Sequence, residues 1–105
     1  VAHKVAQSVR EGTSEQGILF CWTGTGVSIA ANKVPGIRAA LCSDAQTAEG
    51  ARKWNDANVL AMSLRATSPT VAKEILESWF KSSPEKEEKE NIDKVRHIEM
   101  KYSKE

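Results

Sequence analysis

The sequence predicts an α/β domain of three layers, a parallel sheet between two layers of helices, followed by a charged C-terminal helix. Three observations carry that expectation. Short apolar runs at 18–22, 37–42 and 58–62 read as strands buried on both faces. Helix signals stand between and after them, giving the alternation that a parallel sheet requires. The chain has 105 residues and is 40% apolar, enough for one small core and one domain.

Taken in order, Val5 and Val9 lie at helical spacing within residues 2–10, and Gly12 is placed to end that helix. Residues 18–22 form the first strand, and Thr23-Gly24-Thr25-Gly26 turns the chain into a small-residue helix expected over 27–33. Val34-Pro35-Gly36 is a turn signal, and residues 37–42 form the second strand. Ser43 or Asp44 caps a helix reaching about Trp54, with Glu49 placed to complete the cap. After the third strand, Ser68 and Pro69 stand as N-cap and first residue of a helix whose stripe is Val71, Ile75 and Trp79. From Lys81 the composition shifts. Residues 1–80 read as the α/β unit and 81–105 as a charged helical tail, with Ile92, Val95, Ile98 and Tyr102 as one thin stripe expected to pack on the domain or a second subunit.

Several function classes are disfavoured. A formal net charge of +1, with no basic block interleaved with aromatics, argues against nucleic acid. No apolar run approaches ~20 residues, so no transmembrane helix is expected. Cys21 and Cys42 end apolar runs, which suits a reduced, cytoplasmic protein rather than a disulfide scaffold, and two cysteines without a neighbouring histidine make a poor metal site. His3 and His97 are isolated and expected to be exposed.

The segment around Cys21 is the most informative. Strand, glycine turn and helix N-terminus make a ready anion site, because unpaired N–H groups point outward where the helix dipole favours negative charge. A thiol beside such a site ionises more easily than a free one. A small buried hydrophobe is the alternative role for Cys21, and a plain βα turn the alternative for Gly24 and Gly26. The dinucleotide fingerprint is absent, so no nicotinamide cofactor is expected. Arg65, at the carboxyl end of the third strand, is placed to neutralise a phosphate or to join a surface ion pair. Asn55-Asp56-Ala57-Asn58 is a polar cluster that also fits a capped turn, and Arg38 needs a partner.

Three linked stretches carry a resemblance. They are Gly17-Ile-Leu-Phe-Cys21-x-Thr23-Gly24-x-Gly26-x-Ser28-Ile-Ala-Ala-Asn32-Lys33, then Gly36-Ile-Arg-Ala-Ala-Leu-Cys42, then Ala51-Arg52-x-x-Asn55-Asp56-Ala57-Asn58-Val59-Leu60. In order and without gaps over roughly 1–80, they resemble the type B ribose-5-phosphate isomerases and their galactose-6-phosphate isomerase relatives. The resemblance implies a Rossmann-like fold and aldose–ketose isomerisation of a phosphorylated sugar through an enediolate. It implies Cys21 as the base, with Thr23 beside it. Gly24, Thr25 and Gly26 would form the anion hole, and Asn55 and Arg65 would stand near substrate. No metal or organic cofactor is implied, and the sites are built from both subunits of a homodimer.

Some positions depart from the pattern. Trp22 stands where the family has glycine, so a side chain is expected to fill the sugar site or restrict the turn. Trp54 replaces a histidine credited with ring opening, and indole does not titrate near neutral pH. The usual glycine pair after the third strand has become Ser63-Leu64. Of the C-terminal phosphate-binding arginines, only Arg96-His97 stands as a remnant. The family's opening strand–helix–strand unit has no counterpart, which leaves an open sheet edge expected beside the first strand. These departures favour a second expectation, a catalytically impaired relative with a phosphate-binding or assembly role.

Overall fold

The three apolar runs lie side by side in one parallel sheet. The computed structural model describes residues 1–103. Helix α1 (Ala2–Glu11) leads into strand β1 (Gly17–Cys21), helix α2 (Thr25–Asn32), strand β2 (Ala39–Leu41) and helix α3 (Ala45–Asn55). Strand β3 (Val59–Ser63), helix α4 (Pro69–Lys81), a 3-10 turn (Lys86–Glu88) and helix α5 (Lys89–Lys101) complete the order. The strand order is β1-β3-β2, so β3 is central and β1 is an edge. Gly17 pairs with Val59 and Cys21 with Ser63 on one side of β3, and Ala39 pairs with Val59 on the other.

Each face of the sheet has its own core. Leu60 and Met62 point to one side and pack with Cys42, just after β2, and with Ala48, Ala51, Ile75 and Trp79 from α3 and α4. Val59 and Leu19 point to the other side and pack with Ala2, Ala6 and Ala31 from α1 and α2, and with Ile37. This is the three-layer αβα arrangement that the alternation of strands and helices implies. Trp79 is fully buried, with its indole N–H on Gln16 Oε1 at 3.0 Å and the Arg52 guanidinium 5.5 Å above its ring.

Local signals explain most helix ends. Gly12 has φ +83° and returns its N–H to Val9 O. Asp44, rather than Ser43, caps α3 by accepting from Thr47 N–H at 2.7 Å, and Ser68 caps α4 by accepting from Val71 N–H at 3.2 Å. Two element starts differ from expectation by two residues, and one cap residue finds a different partner. Helix α2 begins two residues early, because Gly24 in the left-handed region acts as its N-cap. Strand β2 begins two residues late, because Ile37 N–H closes a turn onto Val34 O and Arg38 N–H is taken by the Asn58 side chain at 2.8 Å. Glu49 does not complete the α3 cap. It pairs instead with Lys53 one turn on, at 2.7 Å.

The charged tail forms α5, but its stripe is only partly used within the chain. Ile92 is half-buried, while Val95, Ile98 and Tyr102 are exposed. The helix is pinned by Glu99, whose carboxylate accepts from Gly36 N–H at 2.9 and 3.0 Å. The 3-10 turn is held to α3 by Glu85, whose N–H donates to Lys53 O and whose carboxylate accepts from Trp54 Nε1.

Replacing Trp79 by alanine removes the largest side chain of the α3–α4 core and is expected to cost about 3–5 kcal/mol. Replacing its exposed neighbour Phe80 is expected to cost under about 0.5 kcal/mol. Chemical denaturation of the two variants side by side checks the contrast.

Candidate active site

The site is built where β1 hands over to α2. Cys21 ends the strand and is half-buried. Gly24 follows with φ +79°, turning the chain so that the first N–H groups of α2 face back toward the thiol. Gly24 N–H donates to Cys21 Sγ at 3.2 Å. The thiol is held below its ordinary value, chiefly by the Val27 N–H. Burial opposes the shift, and the N–H groups of Gly24, Thr23 and Gly26 add to it. The donors are all main-chain groups, as the dipole end of a helix provides. The Thr23 and Thr25 hydroxyls lie 2.7 Å apart beside this nest.

Glycine is required at 24 for two reasons. Its φ is positive, and a Cβ there would crowd Leu41 and come within 3.1 Å of the Met62 and Ser63 main chain. At Gly26 nothing lies within 4 Å of the Cβ position. That glycine borders open space, where another molecule can approach the backbone closely.

Cys42 shows what the nest adds. It is fully buried in the α3–α4 core, and burial, helped by the negative charge of Asp44, pushes its thiol up to about 11. Position at a strand end is common to both cysteines, so it does not explain the difference. The N–H groups around Cys21 do.

The turn after β3 closes the site from the other side. Leu64 N–H donates to Cys21 O and Arg65 N–H to Trp22 O, both at 2.9 Å. Ser63 Oγ donates to Trp22 O at 2.9 Å and accepts from Ala66 N–H at 3.0 Å. Thr23 and Arg65 thus meet at one open cleft of about 400 Å³, walled by Leu41, Ser43 and Ser63. The Arg65 side chain is exposed and has no ion pair among the described residues. Trp22 does not restrict the turn. Among the described residues only Asp56 has positive φ without being glycine, and the Trp22 side chain is 64% exposed.

Asn55 is not brought to this site within one chain. It ends α3 beside the amino end of β3, whereas Cys21 stands at the carboxyl end of β1, roughly 13 Å of strand away. Its neighbours in the motif work in the scaffold. Asp56 ends α3 at φ +47°, and its carboxylate sits between Arg38 and Arg52, each at 3.3 Å. Asn58 accepts from Arg38 N–H and donates to Gly36 O at 3.0 Å. These bonds give Arg38 its partner and make most of the polar cluster a capped turn. Trp54 lies over Gly50, with its indole N–H on Glu85 at 3.1 Å. Among the described residues no group of three or more His, Cys, Asp and Glu is placed to hold a metal ion. No helix among them is long and apolar enough to cross a membrane. Ser63 is the site residue that the sequence does not single out as functional, because only the β1–β3 register places it opposite Cys21.

Fold and site define an α/β domain with a thiol held low by main-chain N–H groups at a helix N-terminus. Comparison with known proteins makes the class specific. The model of the Ribose/Galactose Isomerase family matches residues 1–98, and the chain belongs to that family. The match passes residue 80 and enters α5, further than the sequence motifs reach. The chain is 48% identical over 80 residues to the D-erythrulose-4-phosphate isomerase of Pectobacterium atrosepticum, covering 76% of this chain and 53% of that one. It is 47% identical over 79 residues to the ribose-5-phosphate isomerase B of Escherichia coli, covering 75% and 53%. The solved ribose-5-phosphate isomerase B of Clostridium thermocellum superposes with a TM-score of 0.94 at 43% identity, over 97% of this chain and 70% of that one. The chain spans about half the length of the curated relatives it matches.

Two outcomes are expected from the site geometry. Because the Cys21 thiol lies below its ordinary 9.0, its alkylation rate should reach half its plateau below that pH. Cys42 should stay unmodified while the protein is folded. Peptide mass spectrometry after iodoacetamide treatment across a pH series reads both residues at once. Gly24→Ala should cost about 2–4 kcal/mol. Gly26→Ala should range from neutral to a gain of about 1 kcal/mol. Thermal denaturation separates the two.

Proposed function

We propose that this chain carries the proton-transfer site of a sugar-phosphate isomerase, with ribose 5-phosphate to ribulose 5-phosphate as its reaction. The observation that carries the reading is the Cys21 thiol set among the N–H groups of α2, with Gly24 N–H 3.2 Å from sulfur. Aldose–ketose isomerisation needs a base of tuned pKa and donors aimed at an oxygen that becomes negative, and this turn supplies both within a few ångströms.

In the proposed step the Cys21 thiolate takes the proton on C2 of the open-chain aldose. The C–H electron pair becomes the C1–C2 double bond, and the C1 oxygen takes the negative charge. The main-chain N–H groups of Gly24, Thr25 and Gly26 stabilise that charge, with Thr23 beside them. The proton on the C2 oxygen passes to the C1 oxygen, Cys21 returns its proton to C1, and the carbonyl re-forms at C2. Arg65, exposed and without an ion pair among the described residues, neutralises the phosphate across the cleft. Asn55 reaches substrate from a second copy of the chain, which accords with its place at the opposite end of the sheet. The working form is a homodimer in the cytoplasm, without a metal or organic cofactor.

One observation favours a weakly active relative instead. The position of the ring-opening histidine is held by Trp54, whose only N–H is committed to Glu85. Such a protein would act on the open-chain sugar and leave the ring form to open in solution.

The test is conversion of ribose 5-phosphate to the ketose, followed by its absorbance. Cys21→Ala is expected to lower kcat by roughly 100-fold or more, since general base catalysis contributes 10²–10⁴-fold. Cys42→Ala should retain activity. Mixing the Cys21→Ala and Asn55→Ala variants should restore a fraction of it if sites are shared between subunits. Conversion that survives Cys21→Ala overturns the mechanism. Absence of conversion by a folded dimer, with the sugar supplied above the relatives' working range, overturns the isomerase reading.

A further inference from the structure

Trp22 has its carbonyl held by two donors, one from the last residue of β3 and one from the turn that follows. Ser63 Oγ and Arg65 N–H each reach Trp22 O at 2.9 Å. A carbonyl oxygen has two lone pairs, and here both are taken. The peptide between Trp22 and Thr23 is planar and trans, so the Thr23 N–H must point opposite to the Trp22 C=O. Whatever fixes that carbonyl therefore aims that N–H. The carbonyl faces the β3 turn, and the Thr23 N–H is one of the lesser main-chain groups that hold the Cys21 thiol low, behind those of Val27 and Gly24.

Ser63 is well placed to act as a clamp. It is 9% exposed and sits opposite Cys21 in the sheet register. Its hydroxyl hydrogen is committed to Trp22 O, because the same oxygen accepts from Ala66 N–H at 3.0 Å. The second bond fixes the rotor, so the hydroxyl cannot turn away without losing a partner. The neighbouring peptide is held in the same manner by Leu64 N–H on Cys21 O.

We propose that Ser63 is a positioning residue for the reactive thiol: its hydroxyl sets the direction of the Trp22–Thr23 peptide and so keeps the Thr23 N–H in the donor nest around Cys21. The Ser63 hydroxyl is committed to Trp22 O and Ala66 N–H, not to the thiol. It acts through one peptide plane. The inference deepens the isomerase reading by naming what orients its base, yet its test needs no substrate.

The test measures the pH midpoint of Cys21 alkylation in the native chain, in Ser63→Ala, in Ser63→Gly and in Ser63→Thr, with thermal denaturation of each. Losing the hydroxyl should shift the midpoint upward and slow alkylation at neutral pH, a modest shift because Thr23 ranks behind Val27 and Gly24 among the donors. Threonine, which keeps the hydroxyl, should restore the native midpoint. A merely structural role would lower stability and leave the midpoint of the folded protein where it is. An unchanged midpoint in a folded alanine or glycine variant overturns the proposal, as does a threonine variant that shifts as far as alanine. Should neither removal variant fold, Ser63→Cys supplies the same reading, its weaker donor giving a smaller shift in the same direction, and an unshifted midpoint there also overturns it. Isomerase assays of the native chain run separately, so absence of turnover in a chain whose thiol midpoint responds to Ser63 as expected counts against the isomerase reading alone.

Discussion

A strand paired on both edges and covered on both faces cannot turn to water for its polar groups, so every main-chain N–H and C=O in it must be satisfied within the protein. Strand β3 is under that constraint, with all five of its residues buried. Its N–H and C=O groups fix the register of β1 on one side and β2 on the other. Its side chains divide between the two cores, Val59 to the α1–α2 face and Leu60 and Met62 to the α3–α4 face. A slip of one residue would exchange those faces and place β1 wrongly against the β3 turn. The position of Ser63, Leu64 and Arg65 beneath the Cys21–Thr23 segment is thus inherited from the packing of residues 59–62.

The chemistry of the site is mostly main-chain chemistry. Cys21 differs from Cys42 in what surrounds it rather than in its own nature. One thiol faces several N–H groups at a helix end, and the other faces apolar side chains and an aspartate. An N–H donor cannot be removed by substituting its own side chain, except by proline. Such a nest is controlled by whatever holds the peptide planes, which are the bonds from the β3 turn and the left-handed Gly24. This is why the residues that shape the site need not touch its contents.

The surface of the chain is uneven. Phe20, Trp22 and Leu64 are exposed around the carboxyl end of the β1 edge, and Val95, Ile98, Met100 and Tyr102 along α5. Exposed strand edges and apolar stripes of this kind are ordinarily covered in a working assembly. The homodimer proposed above would cover them.

The sequence by itself determined the alternation of strands and helices, the caps at Asp44 and Ser68, the Gly12 stop and the special character of the Cys21 segment. Each of these rests on residues close in the chain, where spacing and side-chain type settle the geometry. The strand order, the late start of β2 and the partners of Arg38 and Glu49 were decided by the folded structure. In each case a group from another segment, or from the next turn, took the bond that local pattern had assigned elsewhere. The roles of Asn58 and Ser63 belong with these, because a polar side chain is read as ligand-binding or structural only once its partner is known. Sequence shows Ser63 as a small polar residue after an apolar run, and only the β1–β3 register puts its hydroxyl on the Trp22 carbonyl, 41 residues away in the chain.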